Sequence, residues 1–236
     1  TSVIFLNNYC KKVVDKILNV KNYSIIPHGI NYFKFNKNRD QKSLKYNCTR
    51  PLKLIYVSTI NLYKHQWQVV EAVDELNKNG FFIDLTLIGD NQSDALNLLK
   101  NKLNDLSNPK RIKYLGPKRH DELQQYYYNS DVFIFASTCE TFGMVILEAM
   151  SCGLPVLSSK QSSMPSTFKE TPIYFDPFKI ESIKKSIKKI YNNPQLLLDM
   201  SEKSFSFSKK FSWKTTSEKT FVYLASISKF IKNKNS

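Results

Sequence analysis

Glycine is scarce in this 236-residue chain, with six residues: Gly29, Gly80, Gly89, Gly116, Gly143 and Gly153. That excludes a collagen-like or glycine-rich low-complexity polymer. Histidine is limited to His28, His65 and His120, far apart in sequence. The four cysteines, Cys10, Cys48, Cys139 and Cys152, form no CxxC pair. Zinc-ligand spacing is therefore missing, and no metal site is expected. Scattered thiols fit a reducing cytosol better than a secreted disulfide scaffold. No apolar run approaches the ~18 residues of a membrane span. The apolar start, Thr1 to Leu6, is too short for a signal peptide, and no basic stretch precedes it. No Met opens the chain, as expected of a piece of something longer.

Acidic residues are also few, 20 against 35 Lys and Arg, for a formal net charge of +15. Only Arg39, Arg50, Arg111 and Arg119 among those 35 are arginine. A dedicated nucleic-acid binder relies on arginine forks, so nucleic acid is not an expected partner. Lysine spread along the chain is expected to be mainly a solvated surface, with some attraction for anionic ligands or membranes. What is present suffices for a packed core: 42% of residues are hydrophobic and 13% aromatic. The length allows one substantial core or two small ones.

Strand-like and helix-like segments alternate. Strands are predicted over 52–58, 82–88, 111–115, 131–136, 154–157 and 172–175. Helices are predicted over 67–79, from a Ser93 cap through apolar positions 96, 99, 103 and 106, over 121–129 and over 142–151. Gly80 and Gly153 stand where helices end. Further helices are expected over 180–192, 195–203 and 215–231. The last carries an apolar side (Phe221, Leu224, Ala225, Ile227, Phe230) that wants a partner. The Asn/Lys-rich stretch Asn36 to Asn47 is the expected mobile loop. Apolar strands separated by helices predict an α/β, Rossmann-like doubly wound parallel sheet with helices on both faces and a helical C-terminal tail. Its ligand crevice would lie beyond the strand ends at Ser58, Ile88, Leu115, Ala136 and Leu157.

After the fourth strand stands Ser137-Thr-Cys-Glu140-Thr-Phe142-Gly143-Met144-Val145-Ile-Leu-Glu148-Ala-Met150. A strand, a glycine turn and a helix start in succession make an anion site from the first helical amides. Gly143 lets a ligand approach the backbone. Glu140 and Glu148 cannot bind a phosphate, but they can accept hydrogen bonds from sugar hydroxyls on either side of one, worth roughly 1.5–3 kcal/mol each. A sugar–diphosphate–ribose ligand suits this pattern. The plainer alternative is a helix-terminus carboxylate at Glu140 and a solvated one at Glu148.

The run E-T-F-G-M-V-I-L-E-A-M-S-C-G-L-P-V resembles the signature of the retaining family-four, or group 1, glycosyltransferases, which have the two-domain GT-B fold. Ile25-Ile-Pro-His28-Gly-Ile30 resembles the linker motif of that family, with His28 where Asn is usual. Leu54 to Ala72, Leu85 to Asp90 (Asp90 replacing the last Gly of L-x-I-x-G-x-G), Ile112 to Ser130, Phe175-Asp-Pro177 and Phe211-Ser-Trp213 resemble further family segments in order. The resemblance implies that Glu140 contacts the donated sugar and that the amides of Phe142, Gly143, Met144 and Val145 hold the diphosphate. It implies that Glu148 holds the ribose, and that Lys64 neutralises the leaving diphosphate. Taken singly, Lys64 reads equally as a surface lysine. Pro117 to Arg119 match the loop beside the base. Ser58-Thr59 replace the usual Gly-Arg, so Thr59 stands at a diphosphate position without the cation; the alternatives are that Lys64 suffices, that Lys118 or Arg119 compensates, or that activity is weak. His65 and His120 are expected to be structural or exposed.

The chain is thus expected to be a single donor domain over 1–236, with a linker-proximal segment over 1–30 and a crossover helix over 213–236. The acceptor domain on its N-terminal side would be absent. The expected function is retaining transfer of a hexose-type sugar from a nucleotide sugar, UDP- or GDP-linked, with no cofactor. The acceptor would be a glycan or lipid-linked molecule in cell-surface polysaccharide synthesis. Without the acceptor domain the isolated chain would transfer poorly. The expected location is cytoplasmic, with peripheral contact at the anionic inner membrane face. The rivals are a lysine-rich module binding nucleic acid or anionic membrane, and a sugar-nucleotide epimerase of the same fold.

Overall fold

A computed structural model describes residues 2–31, 33, 45–90 and 94–235, with side chains through 228. Residues 36–44 of the expected loop, the Ser93 cap and the Phe230 side chain lie outside the described residues.

The chain opens on a unit that periodicity did not reveal. Strand β1 (Ser2–Phe5), helix α1 (Asn8–Val14) and strand β2 (Asn22–Ile25) form a separate two-stranded parallel sheet. The main body follows as β3 (Leu52–Val57), a 3-10 turn (Leu62–Lys64), α2 (Gln66–Lys78), β4 (Ile83–Ile88), α3 (Ala95–Asn104), β5 (Ile112–Tyr114) and α4 (His120–Tyr128). It continues as β6 (Val132–Phe135), α5 (Met144–Ser151), β7 (Val156–Ser159), α6 (Met164–Phe168) and β8 (Ile173–Phe175). The tail is α7 (Ile180–Tyr191), α8 (Pro194–Ser208) and α9 (Trp213–Asn235).

Among the described residues the main sheet has six parallel strands in the order β5-β4-β3-β6-β7-β8. This is the doubly wound arrangement, in which the winding reverses between the first strand and the fourth. Both faces are covered. Val132, Phe133, Ile134 and Phe135 alternate between the faces, and all four are fully buried. Helix α2 packs on α3 and α7, and α5 packs on α8. Lys184 of α7 reaches Glu75 of α2 at 2.7 Å and so ties two covering helices together.

Three differences from the expected elements have local causes. The strand expected at 154–157 begins two residues later. Pro155 has no amide for the ladder, and Leu154 bonds back to Ala149 O at 3.0 Å. Helix α5 begins at Met144 rather than 142, because Gly143 adopts a left-handed conformation at its N-cap (φ 85°). Helix α6 carries Pro165 in its first turn and is short enough to escape a periodicity test. On α9, Phe221 and Leu224 are exposed, as is Val222. A hollow of about 320 Å³ between β2 and α9, lined by Tyr23, Tyr223 and Ile227 among others, includes none of the expected donor contacts.

Candidate functional site

The reversal of winding sets the ends of β3 and β6 side by side, with Leu54 level with Val132 and Ile55 level with Phe133. The loops that leave these strands must therefore meet. One carries Ser58 to Lys64, the other Ser137 to Gly143. Thr138 N donates to Tyr63 O at 2.8 Å and joins them. Thr138 Oγ1 lies 3.1 Å from His65 Nε2 and adds a side-chain contact between the same loops. His65 occupies the left-handed region (φ 51°) between the 3-10 turn and α2. Trp67 and Phe178 flank its ring, and burial pushes its pKa down, favouring the neutral form.

Lys64 and Glu140 form an ion pair at this junction. Their side chains are only 9% and 15% exposed, so Lys64 is not a solvated surface lysine. Its ammonium lies 5.0 Å from the centre of the Phe135 ring and 5.1 Å from that of Tyr63, which supply cation–π contacts. Tyr56 fixes the backbone beneath. Its hydroxyl donates to Lys64 O and accepts from Ala136 N at 3.1 Å. Full burial drives this phenol's pKa far up, so it keeps the proton that it donates.

Glu140 is held from its other side by Ser162. The Ser162 hydroxyl accepts from Glu140 N at 2.9 Å and donates to Glu140 O at 2.7 Å. Tyr56, Thr138 and Ser162 did not stand out in the sequence. Thr138 has a local signal, two residues before Glu140, whereas Ser162 stands 22 residues away and has none. The first chain segment also reaches this loop. Asn7 caps α1 by accepting from Cys10 N, and its Nδ2 donates to Thr141 O at 2.7 Å.

Beyond Glu140, Phe142 is buried while Met144 is partly exposed. A Cβ on Gly143 would stand 3.1 Å from Met164 Cε and 3.2 Å from the Phe168 ring. The amides that open α5 have no preceding helical turn to accept them, so they offer donors to an anion. His28 is half-buried, with its ring edge-on to Phe142 and tilted against Trp213.

Glu148 lies farther along α5 and is 7% exposed, so it is not a solvated helix residue. Its Oε1 is 3.1 Å from His120 Nε2, and its Oε2 accepts from Tyr127 Oη at 3.4 Å. At the end of β3, Gln66 donates to Ser58 Oγ and to Thr59 O, each at 2.9 Å, and fixes the backbone where Thr59 was expected to face the donor. Gly89 lies directly against the backbone at Ser58. A Cβ there would fall 1.7 Å from Ser58 O. Lys118 is half-buried. Arg119 is exposed and clasps Asp121 through two contacts of 2.8 and 3.1 Å. Exposed pairs of this kind are weak, about 0–1 kcal/mol, and do not lock the guanidinium. Among the described residues, no group of three or more His, Cys, Asp or Glu could hold a metal ion.

The profile of the family described as "Glycosyl transferases group 1" matches residues 37–207. Alpha-monoglucosyldiacylglycerol synthase of Acholeplasma laidlawii is 28% identical over 81% of this chain and 50% of its own length. O-antigen chain mannosyltransferase B of Escherichia coli is 30% identical over 46% of this chain and 29% of its own length. The chain thus spans at most about half of either relative. Among solved structures, Anabaena HepE in complex with UDP and glucose superposes with a TM-score of 0.81 at 19% identity, over 94% of this chain and 62% of that one. Sucrose-phosphate synthase from Thermosynechococcus elongatus gives 0.80 at 20% identity, over 96% and 58%. These likenesses show the fold of one half of a GT-B glycosyltransferase.

Proposed function

The chain belongs to the group 1 glycosyltransferases, and on that premise we propose that it binds a nucleoside diphosphate sugar and serves its transfer, with retained anomeric configuration, to a glycan or lipid-linked acceptor. The observation that carries this reading is the joining of Lys64, Glu140 and the opening of α5 at the reversal of the winding. The α5 amides hold the diphosphate. Glu140 receives hydroxyls of the donated sugar on one side, and Glu148 receives those of the ribose on the other. As the bond from sugar to phosphate breaks, negative charge grows on the leaving diphosphate. Lys64, already charged and fixed at that point, stabilises it without reorganising. Lys118 and Arg119 stand at the loop assigned to the base and add positive charge where Thr59 has none.

HepE has been solved with UDP-glucose, which supports a UDP donor. The relatives named for a diacylglycerol glucoside and an O-antigen chain support lipid or glycan acceptors. The acceptor would be presented by a second domain, docked on the exposed apolar side of α9. No described helix is long and apolar enough to cross a membrane. A net charge of +15 suits peripheral contact with the anionic cytoplasmic face. Calorimetry with UDP, UDP-glucose, GDP and GDP-mannose tests the proposal. At least one is expected to bind, and to bind more weakly to Glu148→Gln. A folded chain that binds none of the four would overturn it.

A further inference from the structure

Glu148 does not stand alone. It is nearly buried on α5, and two donors from α4 converge on its two oxygens: His120 Nε2 at 3.1 Å on Oε1 and Tyr127 Oη at 3.4 Å on Oε2. Residues 120 and 127 are two turns apart and so share one face of α4. Phe33 covers both rings, with centroids 5.3 Å from His120 and 5.8 Å from Tyr127. The Phe33 amide in turn reaches Ser151 Oγ at 3.4 Å, and Ser151 Oγ donates to Glu148 O at 2.7 Å. Two groups of α4 thus hold the carboxylate of α5, Phe33 backs both of their rings, and Ser151 links Phe33 to the Glu148 backbone carbonyl.

This arrangement has a chemical consequence. The terminal torsion of a glutamate is broad, so an unpinned carboxylate swings. A carboxylate offers about four lone-pair sites, and His120 and Tyr127 occupy two of them on opposite oxygens. The plane of the group is then set, and one site on each oxygen is left for a pair of neighbouring hydroxyls. Burial drives the Tyr127 phenol far up, with the Glu148 carboxylate adding to the effect, so Tyr127 keeps the proton it donates. His120 needs only an N–H on Nε2, which either the neutral ring or the cation supplies. Its side chain is 57% exposed, so its energetic role in the fold is small.

Resting on the assignment of Glu148 to the ribose, we propose that His120 is a positioning residue that orients the Glu148 carboxylate to receive the two ribose hydroxyls and so makes the site selective for ribonucleotides over deoxyribonucleotides. The sequence marked His120 only as structural or exposed; its ring is exposed and at the same time engaged with Glu148.

The test is calorimetry of the 236-residue chain with UDP, 2′-deoxyUDP, GDP and 2′-deoxyGDP. The unaltered chain is expected to prefer the ribose form, and Glu148→Gln to lose the preference. His120→Ala is expected to reduce the ratio of ribose to deoxyribose affinity by on the order of threefold or more, the coupling usual for residues in contact. Its melting temperature should stay that of the unaltered chain, and His120→Gln, which keeps a donor at that reach, should restore part of the ratio. If the unaltered chain discriminates and Glu148→Gln does not, but His120→Ala retains the full ratio, the role of His120 is refuted and the site stands. Tighter binding of UDP or GDP by His120→Ala would refute it too, because the imidazole would then compete with the ribose. If the unaltered chain binds no nucleotide, or binds without discrimination, the assignment of Glu148 falls and this inference falls with it.

Discussion

Replacing Lys64 by Met keeps an unbranched apolar stem only one atom shorter beside Tyr63 and Phe135 but removes the ammonium and its charge. Glu140, 15% exposed, is then left without its cation. Stranding one partner of a buried ion pair costs about 3–5 kcal/mol. The remaining exposure of both groups puts the expected cost of Lys64→Met near the lower bound, about 3 kcal/mol. Glu140→Gln leaves a neutral acceptor for the ammonium, and its loss should be about 1.5 kcal/mol. With both changes no charge is stranded, so the double variant should lose no more than about 2 kcal/mol, a coupling on the order of 2–3 kcal/mol. Exposed pairs couple by about 0.2–1 kcal/mol. Urea unfolding followed by tryptophan fluorescence measures all four corners of the cycle, with equal m-values as the check on comparability. A coupling below about 0.5 kcal/mol would mean that the pair behaves as a surface pair, and the idea of a cation fixed in advance for the diphosphate would fail. The same Lys64→Met protein should bind UDP on the order of 10- to 100-fold more weakly, the worth of one charge-assisted hydrogen bond.

Two further outcomes test the scaffold. Gly89→Ala brings a Cβ to 1.7 Å from Ser58 O, so the ends of β3 and β4 must part; a loss of about 3 kcal/mol is expected, read as a drop of about 6–12 °C in melting temperature, and a drop under about 2 °C would contradict the close approach. His65 has its pKa lowered by burial, so the unfolded chain binds the proton more tightly than the folded one. Its contribution is therefore complete above about pH 6.5 and declines as pH falls below that value. His65→Asn, which tolerates the left-handed backbone, should lose less stability than the unaltered chain between pH 7.5 and pH 5.5 in urea titrations; equal losses would remove His65 as a source of that dependence.

Much of the main sheet was legible because its strands are short apolar runs closed by Gly89-Asp90 or Gly116-Pro117, and its helices repeat apolar residues at helical spacing. The lead-in was less so. Strand β2 is only four residues with no buried position, and its pairing with β1 depends on a partner about 20 residues away. The apolar side of α9 was visible from spacing; in the structure Phe221, Leu224 and Ala225 of that side are exposed and Ile227 is half-buried. The apolar residues of Phe142-Gly143 continue the helical pattern of α5; what excludes them from the helix is the left-handed backbone of Gly143, which periodicity does not report.

At the site, residue types and local order by themselves determined the succession of strand, glycine turn and helix, the anion-binding helix start and the spacing of Glu140 from Glu148. These are short-range properties set by backbone sterics and side-chain period. The tertiary structure alone decided the partners. Lys64 meets Glu140 across 76 residues, and His120 meets Glu148 across 28. Only the strand order β4-β3-β6-β7 brings those loops together. Burial, too, was decided there: a lysine among many and a helical glutamate became enclosed charges because β3, β6, α4 and α5 close around them. Long-range register carries that information, and no local pattern of residues encodes it.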